Sequence, residues 1–153
     1  MKALIIDNEP ALCTALQGLI REFCPEILET ESAGSVASGL QKIHSFRPDI
    51  VLLDVEMDDG TGFDLLKQIP EPSFALIFVT AHDQYAIDAF RFSAIDYLLK
   101  PVDPEALRQG VQKAKQQVES RSTHQQIWLL LQQVSGLQHQ DRKIVLKDLE
   151  NTY

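Results

Sequence analysis

Cysteine is scarce in this chain of 153 residues: Cys13 and Cys24 are the only two. They form neither a disulfide framework nor a close metal-binding pair, and each fits a helix face or helix end as a small, partly buried side chain. Long apolar runs are missing as well. No stretch approaches the roughly eighteen or more apolar residues of a membrane span, and Met1-Lys2 leads straight into a short strand pattern rather than a signal-peptide core. A cytoplasmic protein without membrane contact is expected. A basic surplus is also lacking, since the formal charge is −8. Residues 1–100 hold 7 Lys+Arg against 16 Asp+Glu, a net −9, and residues 101–153 hold 7 against 6, a net +1. So acidic a first hundred residues make a poor direct nucleic-acid binder, and any contact with DNA falls to another part. Domain-scale repeats and long low-complexity tracts are absent.

The chain does hold enough apolar residues, 44%, for one full core and an appendage. Lys2 to Ile6 is an apolar run that ends in Asp7-Asn8-Glu9, and Pro10 then suits the first turn of a helix marked by Leu12, Leu16, Leu19, Ile20 and Phe23. Ile27 to Ala33 reads as an outer strand, Gly34-Ser35 as a break and cap, and Val36, Leu40 and Ile43 as a second helix ending near Phe46. Asp49 to Leu53 is a third strand, its four apolar residues buried on both faces as in a parallel sheet covered by helices, and Asp54 follows where it surfaces. A turn-rich loop, Val55 to Gly62, precedes a short helix through Phe63, Leu66 and Ile69. Ala75 to Val79 is a fourth strand, Asp83 can cap a helix through Tyr85, Ile87 and Phe90, and Ile95 to Leu99 is a fifth strand. Asp103-Pro104-Glu105 starts a helix carrying Leu107, Val111, Ala114 and Val118. Five repeats of strand and helix predict an α/β fold with a doubly wound parallel sheet and right-handed crossovers.

Beyond this unit the chain turns polar from Glu119 to His124, and Ile127, Trp128, Leu130, Leu131, Val134 and Leu137 then form an apolar helical stripe. Such a stripe seeks a partner surface, as a linker or dimerising helix, in preference to the alternative of a helix folded back on the core. Lys143 to Leu149 resembles the first strand of a further domain.

The strand ends carry the chemistry. The first gives Asp7, Asn8 and Glu9, the third Asp54, the fourth Thr80 and the fifth Lys100. A parallel sheet gathers them on its carboxyl edge, where open α/β sheets bind ligands. Carboxylates with other oxygen donors suit Mg²⁺, and a hydroxyl and an ammonium beside it suit a phosphoryl group. A carboxylate nucleophile there forms an acyl phosphate, so phosphoryl transfer to Asp54 is the inferred reaction. The plain alternatives are a strand-end turn for Asp54, a helix cap for Asp7, an ordinary strand end for Thr80 and a solvated terminus for Lys100.

Ile5-Ile6-Asp7-Asn8-Glu9-Pro10, Leu53-Asp54, Thr80-Ala81 and Tyr97-Leu98-Leu99-Lys100-Pro101 resemble the receiver domain of bacterial two-component response regulators. Thr80 to Phe90 with Ser93 to Tyr97 is similar to receivers attached to a LytTR-type DNA-binding domain, whose opening Arg142 to Tyr153 resembles. The resemblance implies a flavodoxin-like sheet of strand order 2-1-3-4-5 with helices on both faces and a C-terminal helical linker. It divides the chain into a receiver at 1–120, a linker at 121–141 and the start of a truncated output domain at 142–153. It also implies that Asp54 accepts a phosphoryl group from a sensor histidine kinase and that Asp7, Asn8, Asp54 and the backbone carbonyl of Glu56 hold Mg²⁺. Thr80, Ala81 and Lys100 are the implied phosphoryl-binding residues, Tyr97 the switch, Glu56 and His82 the positions that set phosphoryl lifetime, and Lys100-Pro101 a cis peptide bond. For His82 a solvated surface position is the favoured reading. A homodimer through the fourth helix, fifth strand and fifth helix is implied, with DNA reached only through the missing output domain.

Two departures from the family pattern stand out: Asn8 where Asp is usual, and Asp58-Asp59 where Pro-Gly is usual. An amide at position 8 brings no charge, so weaker metal binding follows. The two carboxylates either restore attraction for the cation or only alter the loop. Two other readings compete. One is a receiver-like module that works by protein contact without phosphate, motivated by Asn8. The other is a haloacid-dehalogenase-like phosphohydrolase, whose Asp-x-Asp-Gly-Thr motif Met57-Asp58-Asp59-Gly60-Thr61 imitates, but with Met57 in the nucleophile's place and a helix where an acidic pair belongs.

Overall fold

Runs without a charged side chain form the middle of the sheet. In the computed structural model, which describes residues 1–134, Ala3–Ile6 of β1 (Lys2–Ile6) and all of β3 (Ile50–Leu53) and β6 (Ala75–Thr80) are buried. Strands buried on both faces require layers of helix on each side, and crossovers then make the pairing parallel. β2 (Glu29–Ala33) and β7 (Asp96–Leu99) form the edges, giving a five-stranded parallel sheet of order β2-β1-β3-β6-β7. This is the expected 2-1-3-4-5 order once the short ribbon β4 (Glu56–Met57) and β5 (Gly60–Thr61) is set aside.

Alternation along the strands divides the core. Leu4, Ile6, Val51, Leu53, Leu76 and Phe78 join one cluster with Val36 and Phe46 of α2 (Val36–Phe46), Leu65 and Leu66 of α3 (Gly62–Lys67), and Ala89 of α4 (Ala86–Arg91). The opposite faces are left for α1 (Pro10–Phe23), with Cys13, Leu16 and Ile20 buried, and for α5 (Pro104–Val134), with Leu107, Val111 and Ala114 buried. Both cysteines are buried thiols.

Local chemistry sets most boundaries. Ser35 caps α2 by accepting the Ser38 N–H, and Thr61 does the same for α3 with Asp64. Asp103 Oδ2 accepts the Ala106 N–H at 3.0 Å at the start of α5. Three expectations are corrected. β2 begins at Glu29 rather than Ile27, because Cys24 to Ile27 is spent on a turn closed by Ile27 N–H to Cys24 O at 3.1 Å. Asp83 lies too early to cap α4: Tyr85 is the N-cap, and Asp83 contributes its carbonyl to the Ala86 N–H at 3.4 Å. The loop after Asp54 contains a two-residue ribbon, Glu56 opposite Thr61 and Met57 opposite Gly60, closed by Asp58-Asp59.

The polar stretch 119–124 leaves α5 uninterrupted as far as Val134. It holds no Gly or Pro, its Glu and Arg are good helix formers, and Thr123 Oγ1 donates back to the Glu119 carbonyl at 3.0 Å. Two units are separable, Met1–Lys115 and the segment from Gln116 onward. In the second, Leu129 and Leu130 are exposed. Leu137 and the strand-like stretch Lys143 to Leu149 lie outside the described residues.

Candidate functional site

The carboxyl edge is assembled by hydrogen bonds that extend the ladder one residue past each strand. Asp7 N–H donates to Ala33 O at 3.0 Å, Asp54 N–H to Ile6 O at 2.9 Å, and Lys100 N–H to Thr80 O at 2.9 Å. Asp7, Asp54, Thr80 and Lys100 are therefore neighbours because their strands are in register. Gly62 closes behind Asp54: its N–H reaches Val55 O at 2.8 Å, and a Cβ there would lie 2.5 Å from the Asp54 carbonyl oxygen. No side chain fits so close an approach.

Asp7, Asp54 and Thr80 are the buried polar residues of this region, at 2%, 6% and 0% exposure. Lys100 Nζ lies 2.8 Å from Asp7 Oδ2 and 3.1 Å from Asp54 Oδ2, so one ammonium serves two carboxylates. Burial pushes the Asp7 carboxyl above its usual range, and the negative charge of Asp54 adds to this, outweighing the relief from Lys100 and the Glu9 N–H. Burial pulls the Lys100 ammonium down, but hydrogen bonds and charge from both carboxylates raise it overall. Asp7 Oδ2 thus has the Lys100 ammonium at ion-pair distance, whereas Asp54 Oδ1 has no hydrogen-bond partner.

A cleft of about 250 Å³ opens over these groups, lined by Asn8, Glu9, Asp54, Glu56, Met57, Asp58, Ala81, His82 and Lys100. Four of these are carboxylates against one lysine. Thr80 Oγ1 accepts the His82 N–H at 3.4 Å. Glu56 is held across the cleft from two sides, by His82 Nε2 at 3.0 Å and by the Tyr85 hydroxyl at 3.2 Å. Tyr97, on β7, donates its hydroxyl to the His82 carbonyl, and burial raises its pKa above the ordinary phenol value. The ring of Tyr97 lies 6.1 Å from that of Phe78, which is 5.3 Å from that of Phe63, so Tyr97 packs on the aromatic part of the core. The Lys100-Pro101 peptide bond is cis.

The two carboxylates after Met57 divide their work. Asp58 Oδ1 accepts from Asn8 Nδ2 at 3.2 Å beside the cleft. Asp59 turns away and accepts the Val36 and Ala37 N–H groups at 2.8 and 3.1 Å, which also lowers its pKa. The residue sequence reasoning missed is Tyr85: as the first aromatic of an apolar stripe, it carried no sign that its hydroxyl reaches Glu56 across 29 positions.

The site suits a small hard cation. Among the described residues no three His, Cys, Asp or Glu side chains form a ready cage. Mg²⁺ asks for less, commonly one or two carboxylates with waters completing the shell. Asp54 Oδ1, buried and without a donor, is an oxygen that a cation would satisfy. The same edge, with a buried carboxylate flanked by lysine and threonine, is suited to forming an acyl phosphate.

Residues 3–112 match the family described as the response regulator receiver domain, and the chain belongs to that family. Such domains are phosphoacceptors of two-component signalling, act in signalling rather than metabolism, interact with histidine kinases and generally bind Mg²⁺ at the phosphorylation site. The chain is similar to an uncharacterized response regulatory protein of Vibrio vulnificus, 45% identical over 74% of this chain and 47% of that one. It is similar also to the sensory transduction protein LytT of Enterococcus faecalis, 36% identical over 77% of this chain and 49% of that one. It thus spans about half the length of the curated relatives it matches. Among solved structures, a two-component response regulator from Clostridium difficile superposes with a TM-score of 0.68 at 28% identity, covering 76% of this chain and 96% of that one. The signal receiver domain of a putative Luxo repressor protein from Vibrio parahaemolyticus shares the fold, with a TM-score of 0.72 at 20% identity over 80% of this chain and 95% of that one. No helix among the described residues is long and apolar enough to cross a membrane.

Proposed function

We propose that Asp54 is the phosphoryl acceptor. A carboxylate oxygen of Asp54 attacks the phosphorus of a phosphohistidine on a sensor kinase, the P–O bond forms as the P–N bond breaks, and the electron pair returns to the imidazole nitrogen. Attack by water later releases inorganic phosphate and restores the carboxylate. Asp7, Asn8, Asp54 and the Glu56 carbonyl would hold Mg²⁺, which when bound neutralises charge on the phosphoryl oxygens. Lys100 supplies a positive charge to the same oxygens, and Thr80 and Ala81 supply a hydroxyl and a backbone N–H. The observation that carries this reading is the unpartnered, buried Oδ1 of Asp54 beside Lys100 in an acidic cleft.

Tyr97 is the switch in this reading, since its hydroxyl holds the carbonyl of His82, two residues beyond Thr80. Glu56 and His82 govern the lifetime of the phosphoryl group through the access they leave to water. The exposed Ile87 and Phe90 of α4 support a phosphorylation-dependent homodimer through α4, β7 and α5. A receiver at 1–120, a linker at 121–141 and the start of a LytTR-type output domain at 142–153 complete the assignment, with DNA contacted only by that output domain and the whole protein in the cytoplasm.

Incubation with Mg²⁺ and a small acyl-phosphate donor, followed by intact mass, tests the central claim. A single phosphate adduct that Asp54→Asn abolishes is expected. No adduct at any Mg²⁺ concentration would favour the module that works by protein contact alone, and release of many phosphates per chain from phosphate esters would favour a phosphohydrolase.

A further inference from the structure

Asn8 and Asp58 come from strand ends fifty positions apart, yet Asn8 Nδ2 donates to Asp58 Oδ1 at 3.2 Å where both line the cleft. Asp58 does not sit on a free loop tip. Its neighbour Asp59 fastens the same two-residue turn to the start of α2 through the Val36 and Ala37 N–H groups. The turn is also tied back by the pairing of Met57 with Gly60. Asp58 is thus held in place beside the end of β1.

An amide has one end that donates and one that accepts. With Nδ2 committed to Asp58, Oδ1 is the atom that Asn8 retains for a cation. A second observation, independent of this pair, points to a cation here. Asp54 lines the same cleft at 6% exposure, and its Oδ1 has no hydrogen-bond partner.

We propose that Asp58 is a positioning residue for a divalent cation in this cleft: it turns the Asn8 amide so that oxygen faces the ion, and polarises that amide through a charge-assisted hydrogen bond. A carboxylate at position 8 has no need of such a partner, because both of its oxygens accept. The inference rests on the Mg²⁺ site of the proposed function and adds to it a residue from outside the ligand set.

Calorimetric titration of the unphosphorylated chain with MgCl₂ tests the pairing. Asp58→Ala is expected to weaken binding about tenfold or more, at the scale of lost partners of metal ligands. Asp58→Asn, whose amide oxygen can still accept from Asn8, retains part of that affinity. In an Asn8→Asp background, Asp58→Ala costs under about threefold, because the remaining effect is that of one exposed, solvent-screened charge. Urea unfolding without metal shows that the exposed Asp58 can be truncated without loss of the fold. Unchanged affinity in Asp58→Ala overturns the proposal, and so does an equal loss in both backgrounds, which would make Asp58 a charge and not an orienting group. If neither the parent nor Asn8→Asp binds Mg²⁺, the cation reading itself has failed, and that outcome is distinct from the other two.

Discussion

The ammonium of Lys100 lies 3.1 Å from Asp54 Oδ2 in surroundings that leave the two side chains 13% and 7% exposed. The same ammonium is 2.8 Å from Asp7 Oδ2. Lys100→Met removes the one positive charge between two buried carboxylates, and breaking a buried pair by taking out one partner costs about 3–5 kcal/mol at full burial. A loss of roughly 2–4 kcal/mol is expected here, since the cleft admits some water. Mg²⁺ should restore more stability to Lys100→Met than it adds to the parent, because the vacated site is more negative. Urea unfolding of both proteins with and without MgCl₂ checks this; equal shifts would count against a cation sharing the carboxylates.

Gly62 is fixed by the backbone of the acceptor itself. Its added Cβ would meet the Asp54 carbonyl oxygen at 2.5 Å and Leu53 Cγ at 3.0 Å. Gly62→Ala should cost about 1–3 kcal/mol, as overpacking of buried sites does. It should also slow acyl-phosphate labelling of Asp54, because the carbonyl can move only by dragging the nucleophile. Labelling rates by intact mass, beside thermal melts, read both effects.

Phe90 is 77% exposed, so burial on folding gives it little reason to be apolar. Phe90→Lys should leave the monomer's stability within about 0.5 kcal/mol of the parent. It should abolish the dimerisation proposed to follow acyl-phosphate treatment, which sedimentation velocity measures. A dimer that survives the change would place the interface elsewhere.

Cys24 makes a pH prediction. Burial raises its thiol from the ordinary 9.0 to about 11, helped by nearby Glu26. An unfolded chain then deprotonates first, so the folded state holds the extra proton between these values. The stability contribution is fully present below pH 9 and is lost as pH rises towards 11, by roughly 2–3 kcal/mol for two pKa units. Cys24→Ala lacks this titration. Denaturant melts at pH 8 and pH 10.5 should therefore show the parent falling further than the variant; parallel declines would contradict it.

Much of this was written in the linear chain. Buried strands announce themselves as runs free of charge, and the polar residue that ends each run lands on one edge because parallel strands all point one way. Asp7, Asp54, Thr80 and Lys100 were legible for that reason, and Ser35 and Asp103 as caps because their partners lie three residues away. The extent of α5 was harder to read, since a polar stretch without Gly or Pro looks the same in a linker and on a solvated helix face.

Local periodicity and chain direction thus determined a parallel sheet and the residues at its carboxyl edge, while its strand order was implied by the resemblance to a known family and is set in the structure by the pairing of β1 with both β2 and β3. Only the tertiary structure decided how those residues are shared. That one lysine serves Asp7 and Asp54, that Asp59 fastens α2 while Asp58 meets Asn8, and that His82 and Tyr85 both hold Glu56 depend on contacts across 22 to 93 positions. No local pattern encodes such pairs, because side-chain reach and backbone register, not sequence spacing, choose the partners.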